Sequence, residues 1–210
     1  MRLFIIIVMG FISNGLFAQS SNYIAQMEQA VTTFDHVESF ASYKSNVAQF
    51  EQIHKIYPSE WLPLYYTALL KSKMAMLKMG EQDVLADEAI ALIQEAKKIQ
   101  INDELLCAES LVYTTKMAIK PFMRWVAMEH KIKAPLVAVK KINKENPRLY
   151  VLEALLQYRM PKLLGGGCDK AYPIGVIAMQ KLLQQTKQAR PFILPHWGQG
   201  LIADMLTKCK

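Results

Sequence analysis

The chain has 210 residues, of which 52% are hydrophobic and 20% charged, and its formal net charge at pH 7 is +7. This much apolar material, with only 9 Gly and 9 Pro, is enough to bury a core and excludes a disordered or collagen-like chain. The length indicates one globular domain, or two very small ones.

The first eighteen residues have the pattern of a secretory signal peptide. Arg2 gives a positive start, an apolar run follows from Leu3 to Ile12, and Ala18 places a small residue before Gln19. We predict cleavage after Ala18, which leaves residues 19–210 as the mature domain in the periplasm or outside the cell. The alternative is an uncleaved N-terminal anchor. No later run is apolar and long enough to predict a membrane span.

Apolar residues recur with the helical period of 3.6 along most of the mature chain. In its first half the pattern predicts helices over 24–34, 40–56, 61–79, 83–99 with Asp83 as N-cap, and from Asn102 or Asp103 to about 117. In its second half it predicts helices over 121–125, 135–144, 147–158, from Asp169 as N-cap to about 187, and from Pro195 to about 208. No stretch alternates with the period of a strand, so the sequence predicts an all-α fold.

The spacing of the helix ends indicates internal repeats. Equivalent ends near positions 58, 101 and 147 lie 43 and 46 residues apart, a period found in HEAT and armadillo repeats. Small residues that let paired helices approach closely are expected at Ala68, Ala89, Ala96, Ala171 and Ala178. The larger side chains expected to fill the gaps between neighbouring hairpins are Trp61, Tyr65, Phe50 and Ile93.

The segment Trp61–Ala68, together with the alanines and Ile93 that follow it, resembles the first and second helices of a tetratricopeptide repeat (TPR). Tyr65 stands where that repeat has Gly, and Ala68 where it has Tyr. The segments Leu164–Ala171 and Pro195–Gly198 resemble the C-terminal half of secreted TPR-like proteins of Gram-negative bacteria. The resemblance implies antiparallel helix-hairpin repeats that form a TPR-like right-handed superhelical array over residues 19–210.

Three cysteines allow at most one disulfide within the chain. Cys107 lies in an apolar run, where a buried, inert thiol is expected. The only bridge considered is therefore Cys168 to Cys209, and the sequence leaves open whether it forms. A thiol hydrolase with Cys168 as nucleophile and His196 as base is a third-ranked functional hypothesis.

Basic residues are concentrated between Lys116 and Arg148, where the net charge is +7. Such a segment favours anionic partners, or it is simply a solvated helix surface. The glycines at positions 165–167 are either a flexible turn or a cradle for a phosphate or carboxylate. Pro195–Gly198 is expected to fix the last helix to the array. The four histidines are not spaced as zinc ligands, so neither a metal nor a cofactor is expected.

These features predict a non-enzymatic, extracytoplasmic scaffold or adaptor that binds a peptide or a cell-envelope protein through a concave surface. Nucleic acid is not an expected partner. The candidate binding residues are Tyr65, Tyr66, Tyr113, Arg124, Lys131 and Lys140. The alternative is a carrier of a small apolar or lipid-like ligand that works beside an envelope transporter, because twelve methionines can line an irregular pocket.

Overall fold

The computed structural model describes residues 21–210, so the predicted signal peptide and its cleavage site lie outside the described residues. Within this range the chain forms nine α-helices and no strand, which confirms the all-α prediction. The helices are α1 (21–34), α2 (Phe40–Ile56), α3 (Leu62–Met76), α4 (Gln82–Ile99), α5 (Asp103–Ile119), α6 (Pro121–Ile142), α7 (Pro147–Arg159), α8 (Cys168–Thr186) and α9 (Gln199–Lys208). A short 3-10 helix, Lys162–Leu164, precedes α8.

Consecutive helices pack against each other, and the odd-numbered helices also contact one another along the chain. Thus α3 packs on α5, α5 on α7, and α7 on α9, while no contact of that extent joins α4 to α6 or α6 to α8 in the described part of the chain. Helices α3, α5, α7 and α9 therefore form one layer, and α4, α6 and α8 flank it. Short turns between packed neighbours make this an array of helix hairpins.

The repeat period is regular. Helices α2, α4 and α6 end at Ile56, Ile99 and Ile142, at intervals of 43 residues. This period confirms repeated hairpins, but it is longer than the roughly 34 residues of a tetratricopeptide repeat. The structure therefore supports a helical repeat array without supporting the TPR class specifically.

Two of the predicted N-caps are wrong and one is right. The side chain of Asn102 accepts a hydrogen bond from the backbone of Leu105 at 2.8 Å and caps α5 as expected. Helix α4 instead begins at Gln82 and α8 at Cys168, so that Asp83 and Asp169 lie in the first turns. Acidic side chains stabilise a first turn through the helix dipole as well as through capping, and the sequence does not separate the two roles.

The predicted break before Pro135 is also wrong, because α6 runs without interruption from Pro121 to Ile142. A proline inside a helix removes one backbone hydrogen bond and costs about 3 kcal/mol. Pro135 is buried between Ile132 and Leu136, which are also buried, and this packing offsets the lost bond. Helix α9 begins later than predicted, after Gly198, whose φ of +119° lies in the left-handed region.

The apolar core consists of three clusters, one on α1 to α5, one on α7 to α9, and a smaller one between α5, α6 and α7. Trp197 packs against all three. The five alanines expected at close helix contacts are completely buried, as predicted. Trp61 is half-buried and packs against the first cluster, in agreement with a packing role.

The C-terminal segment is fixed to the array at two places. Cys168 and Cys209 form a disulfide between the start of α8 and the end of α9, while Cys107 is a buried free thiol as expected. His196 lies 3.0 Å from a carboxylate oxygen of Asp35, just beyond α1. Pro195–Gly198 thus joins the segment before α9 to the end of α1 through His196 and to the apolar clusters through Trp197, in agreement with its predicted role.

Candidate functional site

An apolar groove lies between α2 and α4, with α3 as its floor, and we call it the α2–α4 groove. Its volume is about 460 Å³. It is lined by Phe40, Lys44, Val47, Ala48, Glu51, Lys71, Met74, Met79, Gly80, Glu81, Val84 and Leu85. Its size falls within the range of small-molecule sites, and most of its lining is apolar.

Two local structures place the groove walls. At one end, the side chains of Ser39 and Ser42 form a reciprocal capping box, which fixes the start of α2 and therefore the position of Phe40. At the other end, Lys78 adopts a left-handed φ of 56° and Met79 donates its backbone N–H to the carbonyl of Met74 at 2.9 Å. This turn reverses the chain, so that the first turn of α4 faces α2 across α3.

Large apolar side chains are exposed at both walls of the groove. Phe40 is 49% exposed and Val84 is 54% exposed, while Met74 on the floor is buried. The Nζ of Lys44 lies 5.5 Å from the centre of the Phe40 ring. A ligand in the groove would remove both exposed side chains from water, and that burial is the main source of free energy available there.

The two lysines of the groove differ in their electrostatic state. Lys71 is paired with Glu88 at 2.8 Å and with Glu51 at 3.6 Å, so its charge is compensated. Lys44 makes no ion pair with a carboxylate in residues 21–210. It is therefore the groove cation that remains available to an acidic group on a ligand.

A second, shallower groove lies between α5 and α6, and we call it the α5–α6 groove. Its volume is about 340 Å³, and it is lined by Leu106, Glu109, Tyr113, His130, Lys131, Ala134, Pro135 and Ala138. The Nζ of Lys131 lies 5.4 Å from the centre of the Tyr113 ring. Burial and then the charge of Glu109 raise the pKa of Tyr113.

Of the six predicted binding residues, Tyr113 and Lys131 lie together in the α5–α6 groove, whereas Tyr65 and Tyr66 lie together in the core. Tyr65 and Tyr66 are buried in the core, where burial raises the pKa of both phenols. The Tyr66 hydroxyl donates to the carbonyl of Ile193 at 2.9 Å. Neither ring is accessible to a partner. Both tyrosines occupy positions of α3 that neighbouring helices cover, so their aromatic side chains belong to the core.

The remaining two candidates, Arg124 and Lys140, are engaged in ion pairs. Arg124 lies 2.6 Å from Asp83, and Lys140 lies 2.6 Å from Glu153. Other cations of the segment from Lys116 to Arg148 are also paired, with Asp83, Asp87, Glu104 and Glu129. Acids from neighbouring helices, and Glu129 on α6 itself, thus offset much of the local excess of positive charge.

The two sharper chemical hypotheses do not agree with the structure. Cys168 is in a disulfide and has no thiolate to act as a nucleophile, so the hydrolase hypothesis is wrong. The backbone amides of Gly165, Gly166 and Gly167 all donate to carbonyls of the protein and are not free to bind an anion. Residues 21–210 also contain no group of three or more His, Cys, Asp or Glu side chains arranged to hold a metal ion.

The sequence did not single out the α2–α4 groove. Phe40 and Val84 follow the same helical period as core residues, and their exposure depends on how far α2 and α4 stand apart above α3. The one available signal was the run of methionines near the end of α3, since flexible thioether side chains are frequent at adaptable binding surfaces. None of the helices in the described part is both long and apolar enough to cross a membrane.

Comparison with known proteins gives a single kind of match. No protein-family model and no curated protein matches the chain. Among solved structures, the chain is similar to the HusA haemophore from Porphyromonas gingivalis, with a TM-score of 0.77 and 27% sequence identity. The match covers 90% of this chain and 92% of that one. The helical array is therefore shared with a haemophore along nearly the whole length of both chains.

Proposed function

We propose that this protein is an extracytoplasmic carrier of haem or a closely related porphyrin, which it binds in the α2–α4 groove. The observation that carries the proposal is the similarity to a haemophore over 90% of the chain. It favours the ligand-carrier alternative of the sequence analysis over the protein-binding scaffold. The disulfide between Cys168 and Cys209 supports an oxidising compartment outside the cytoplasm.

The chemistry of the groove suits a porphyrin. A porphyrin has two broad apolar faces and carries its carboxylates on one edge. The walls of the groove offer Phe40 and Val84 to the apolar faces, with Met74 beneath them. Each apolar Å² removed from water contributes roughly 25 cal/mol, so covering these side chains supplies a substantial part of the binding free energy.

The polar edge of the ligand also has a partner. Lys44 is the uncompensated cation of the groove, whereas Lys71 is already paired with two carboxylates. A carboxylate of the porphyrin at the Lys44 side would gain an ion pair at the rim. Because the rim is exposed, this pair would orient the ligand more than it would add affinity.

The α5–α6 groove is the competing location for the same ligand. It contains Tyr113 and His130, and Tyr and His are both side chains that ligate haem iron in proteins. Its volume is smaller, about 340 Å³ against about 460 Å³ for the α2–α4 groove. We therefore place the ligand in the α2–α4 groove and treat the α5–α6 groove as the alternative to be tested.

The test is a haem titration followed by absorbance, with two matched variants. Val84 on α4 and Val137 on α6 are both 54% exposed, and only Val84 lines the α2–α4 groove. We expect Val84→Glu to weaken haem binding at least tenfold, because the new carboxylate places charge against an apolar face. Val137→Glu is expected to leave the affinity unchanged.

Two outcomes would overturn parts of this proposal. If the unmodified mature protein does not bind haem at micromolar concentration, the proposed function is wrong. If it binds haem equally well with Val84→Glu but loses affinity with His130→Gln or Tyr113→Phe, the function stands and the ligand lies in the α5–α6 groove.

A further inference from the structure

A polar pocket lies at the opposite end of the hairpins from the turn between α3 and α4, and nothing in the proposed function uses it. It is formed by the first turns of α5 and α7, the last turns of α8 and the segment 188–194, and its volume is about 480 Å³. Three acidic and three basic side chains line it: Asp103, Glu104, Glu145, Arg148, Lys181 and Arg190. The charges of the lining therefore balance.

At one side of the pocket, buried polar groups lack partners. Glu104 is 9% exposed, and its Oε1 accepts hydrogen bonds from Arg148 at 2.5 Å and from Asn146 at 3.1 Å. Its other oxygen, Oε2, is buried without a hydrogen-bond partner, and so is the Nε of Arg148. A buried carboxylate oxygen without a donor is costly, and a ligand that supplies the donor would recover that free energy.

At another side of the pocket, a guanidinium lacks a carboxylate. Arg190 donates from Nη1 to the carbonyl of Pro195 at 2.9 Å, and it makes no ion pair with any acidic residue of the described chain. Burial, followed by the nearby charge of Arg148, lowers the pKa of Arg190. Arg190 and Glu104 each influence the pKa of the other, which places both groups in one electrostatic environment.

We propose that this pocket binds a small zwitterion, either an α-amino acid or a di- or tripeptide. The ammonium group of the ligand pairs with the carboxylate of Glu104, and the carboxylate of the ligand accepts from Arg190. Trp61 and Leu194 line the same pocket and provide an apolar surface for a ligand side chain. A porphyrin does not suit this lining, because it would bury charged groups against apolar faces.

Both charges of the ligand are required by this arrangement, and the unmodified protein can test that requirement. Thermal unfolding and calorimetry are carried out with L-leucine and with the dipeptide Ala-Leu as probes. N-acetyl-leucine lacks the ammonium, leucine amide lacks the carboxylate, and glucose is a neutral polar probe. We expect leucine or Ala-Leu to bind and to raise the melting temperature. If leucine binds, N-acetyl-leucine and leucine amide should each bind at least tenfold more weakly than leucine. If only Ala-Leu binds, the two modified leucines should not bind at all.

The role of Arg190 is tested by Arg190→Gln, with Lys187→Gln as its control. Lys187 is exposed three residues earlier and does not line the pocket. Arg190→Gln is expected to weaken binding of the zwitterionic probe at least tenfold without changing haem binding, while Lys187→Gln changes neither. Circular dichroism of both variants establishes that they are folded.

The opposite results would overturn the proposal. They are the absence of binding by both zwitterionic probes, equal binding of N-acetyl-leucine or leucine amide, or a response to glucose in place of the zwitterions. Because the pocket shares no lining residue with the α2–α4 groove, these outcomes leave the porphyrin proposal unaffected.

Discussion

Trp197 donates a hydrogen bond from its indole nitrogen to the hydroxyl oxygen of Tyr65 at 2.8 Å, although the two residues are 132 positions apart in the sequence. Tyr65 is completely buried, and Trp197 contacts all three apolar clusters. The bond therefore joins the C-terminal segment to the centre of the array. It also satisfies a phenol hydroxyl that would otherwise be buried without a partner.

Replacing this tryptophan should destabilise the whole fold. We expect Trp197→Phe to lower the free energy of unfolding in urea by about 3 kcal/mol, because it removes apolar contacts and leaves the Tyr65 hydroxyl unsatisfied. Trp125→Phe, at a half-buried position on α6, is the matched control and is expected to cost less than about 1 kcal/mol. In a double-mutant cycle, Tyr65→Phe should cost about 1 kcal/mol less in the Trp197→Phe background than in the unmodified protein. Additive effects would show that the hydrogen bond contributes nothing.

The disulfide closes a long loop and should stabilise the C-terminal part of the array. Cys168 and Cys209 are separated by 41 positions and hold α9 against α8. We expect the Cys168→Ser/Cys209→Ser variant to lose about 2–4 kcal/mol of unfolding free energy in urea. Reductant should destabilise the unmodified protein by a similar amount and leave the double variant unchanged. A reductant effect on the double variant would contradict this assignment.

The sequence predicted the helices and their pairing well, because both depend on local patterns. In residues 21–210, eight of the nine helices lie within about four residues of their predicted bounds, and Asn102 caps α5 as its residue type suggests. The errors have a common physical origin. The predictions for Pro135 and Asp83 used only the neighbouring sequence. Packing against α5 keeps Pro135 inside a continuous helix, and ion pairs to other helices determine the role of Asp83.

The site was less predictable than the fold for a related reason. A helical period shows that a side chain lies on the apolar face, but it does not show whether a neighbouring helix covers that face. Tyr65 was therefore predicted both to pack between hairpins and to bind a partner, and it is completely buried. Phe40 lies on the apolar face of a predicted helix, yet it is half-exposed and lines a groove. Whether such a side chain is buried or lines a groove depends on the distance between neighbouring hairpins.

Asp83 joins the start of α4 to the end of α5 and the start of α6 through its ion pairs. Arg124 and then Lys116 hold the pKa of its carboxyl below the usual value. Because the folded pKa is lower than the unfolded one, the contribution of Asp83 to stability is present at neutral pH and declines as the pH falls below about 3.9, the ordinary Asp pKa. We expect Asp83→Asn to lower the melting temperature at pH 7, with the difference from the unmodified protein narrowing in acid.

A second variant checks the cause of this pH dependence. Arg124→Gln removes the cation that lowers the pKa of Asp83 the most. Like Asp83→Asn, it should make the melting temperature fall less as the pH is lowered. The double variant should show nearly the same pH dependence as either single variant. If the acid sensitivity of the Asp83→Asn protein equals that of the unmodified protein, Asp83 is not the titrating group.

Two glycines in the turn before α8 are required for different reasons, one for lack of space and the other for its left-handed backbone. A Cβ at position 166 would overlap the carbonyl oxygen of Met160, whereas a Cβ at position 165 would meet no atom within 4 Å, although φ there is +84°. We expect Gly166→Ala to cost about 3 kcal/mol, as overpacking does, and Gly165→Ala about 1–2 kcal/mol, the cost of a left-handed conformation. Gly200→Ala in α9, where the site is open, should stabilise the protein by about 0.5–1 kcal/mol. Urea unfolding of the three variants measures this order, and equal costs at positions 165 and 166 would contradict it.

The composition of the α2–α4 groove predicts how much the iron of haem contributes to binding. The groove lining includes no His, Tyr or Cys, and Met74 and Met79 are its only sulfur-bearing side chains. Affinity should therefore come mainly from the apolar faces of the ligand, and iron-free protoporphyrin should bind within about tenfold of haem, a difference of about 1.4 kcal/mol. Absorbance and fluorescence titrations of the unmodified protein measure the ratio of the two affinities.

Replacing Met74 and Met79 by Leu keeps the apolar volume and removes any thioether ligand, so the ratio should approach one in that variant. A preference for haem of a hundredfold or more that survives both Met→Leu changes would require a nitrogen or phenolate ligand, and His130 and Tyr113 in the α5–α6 groove would then be the side chains to replace.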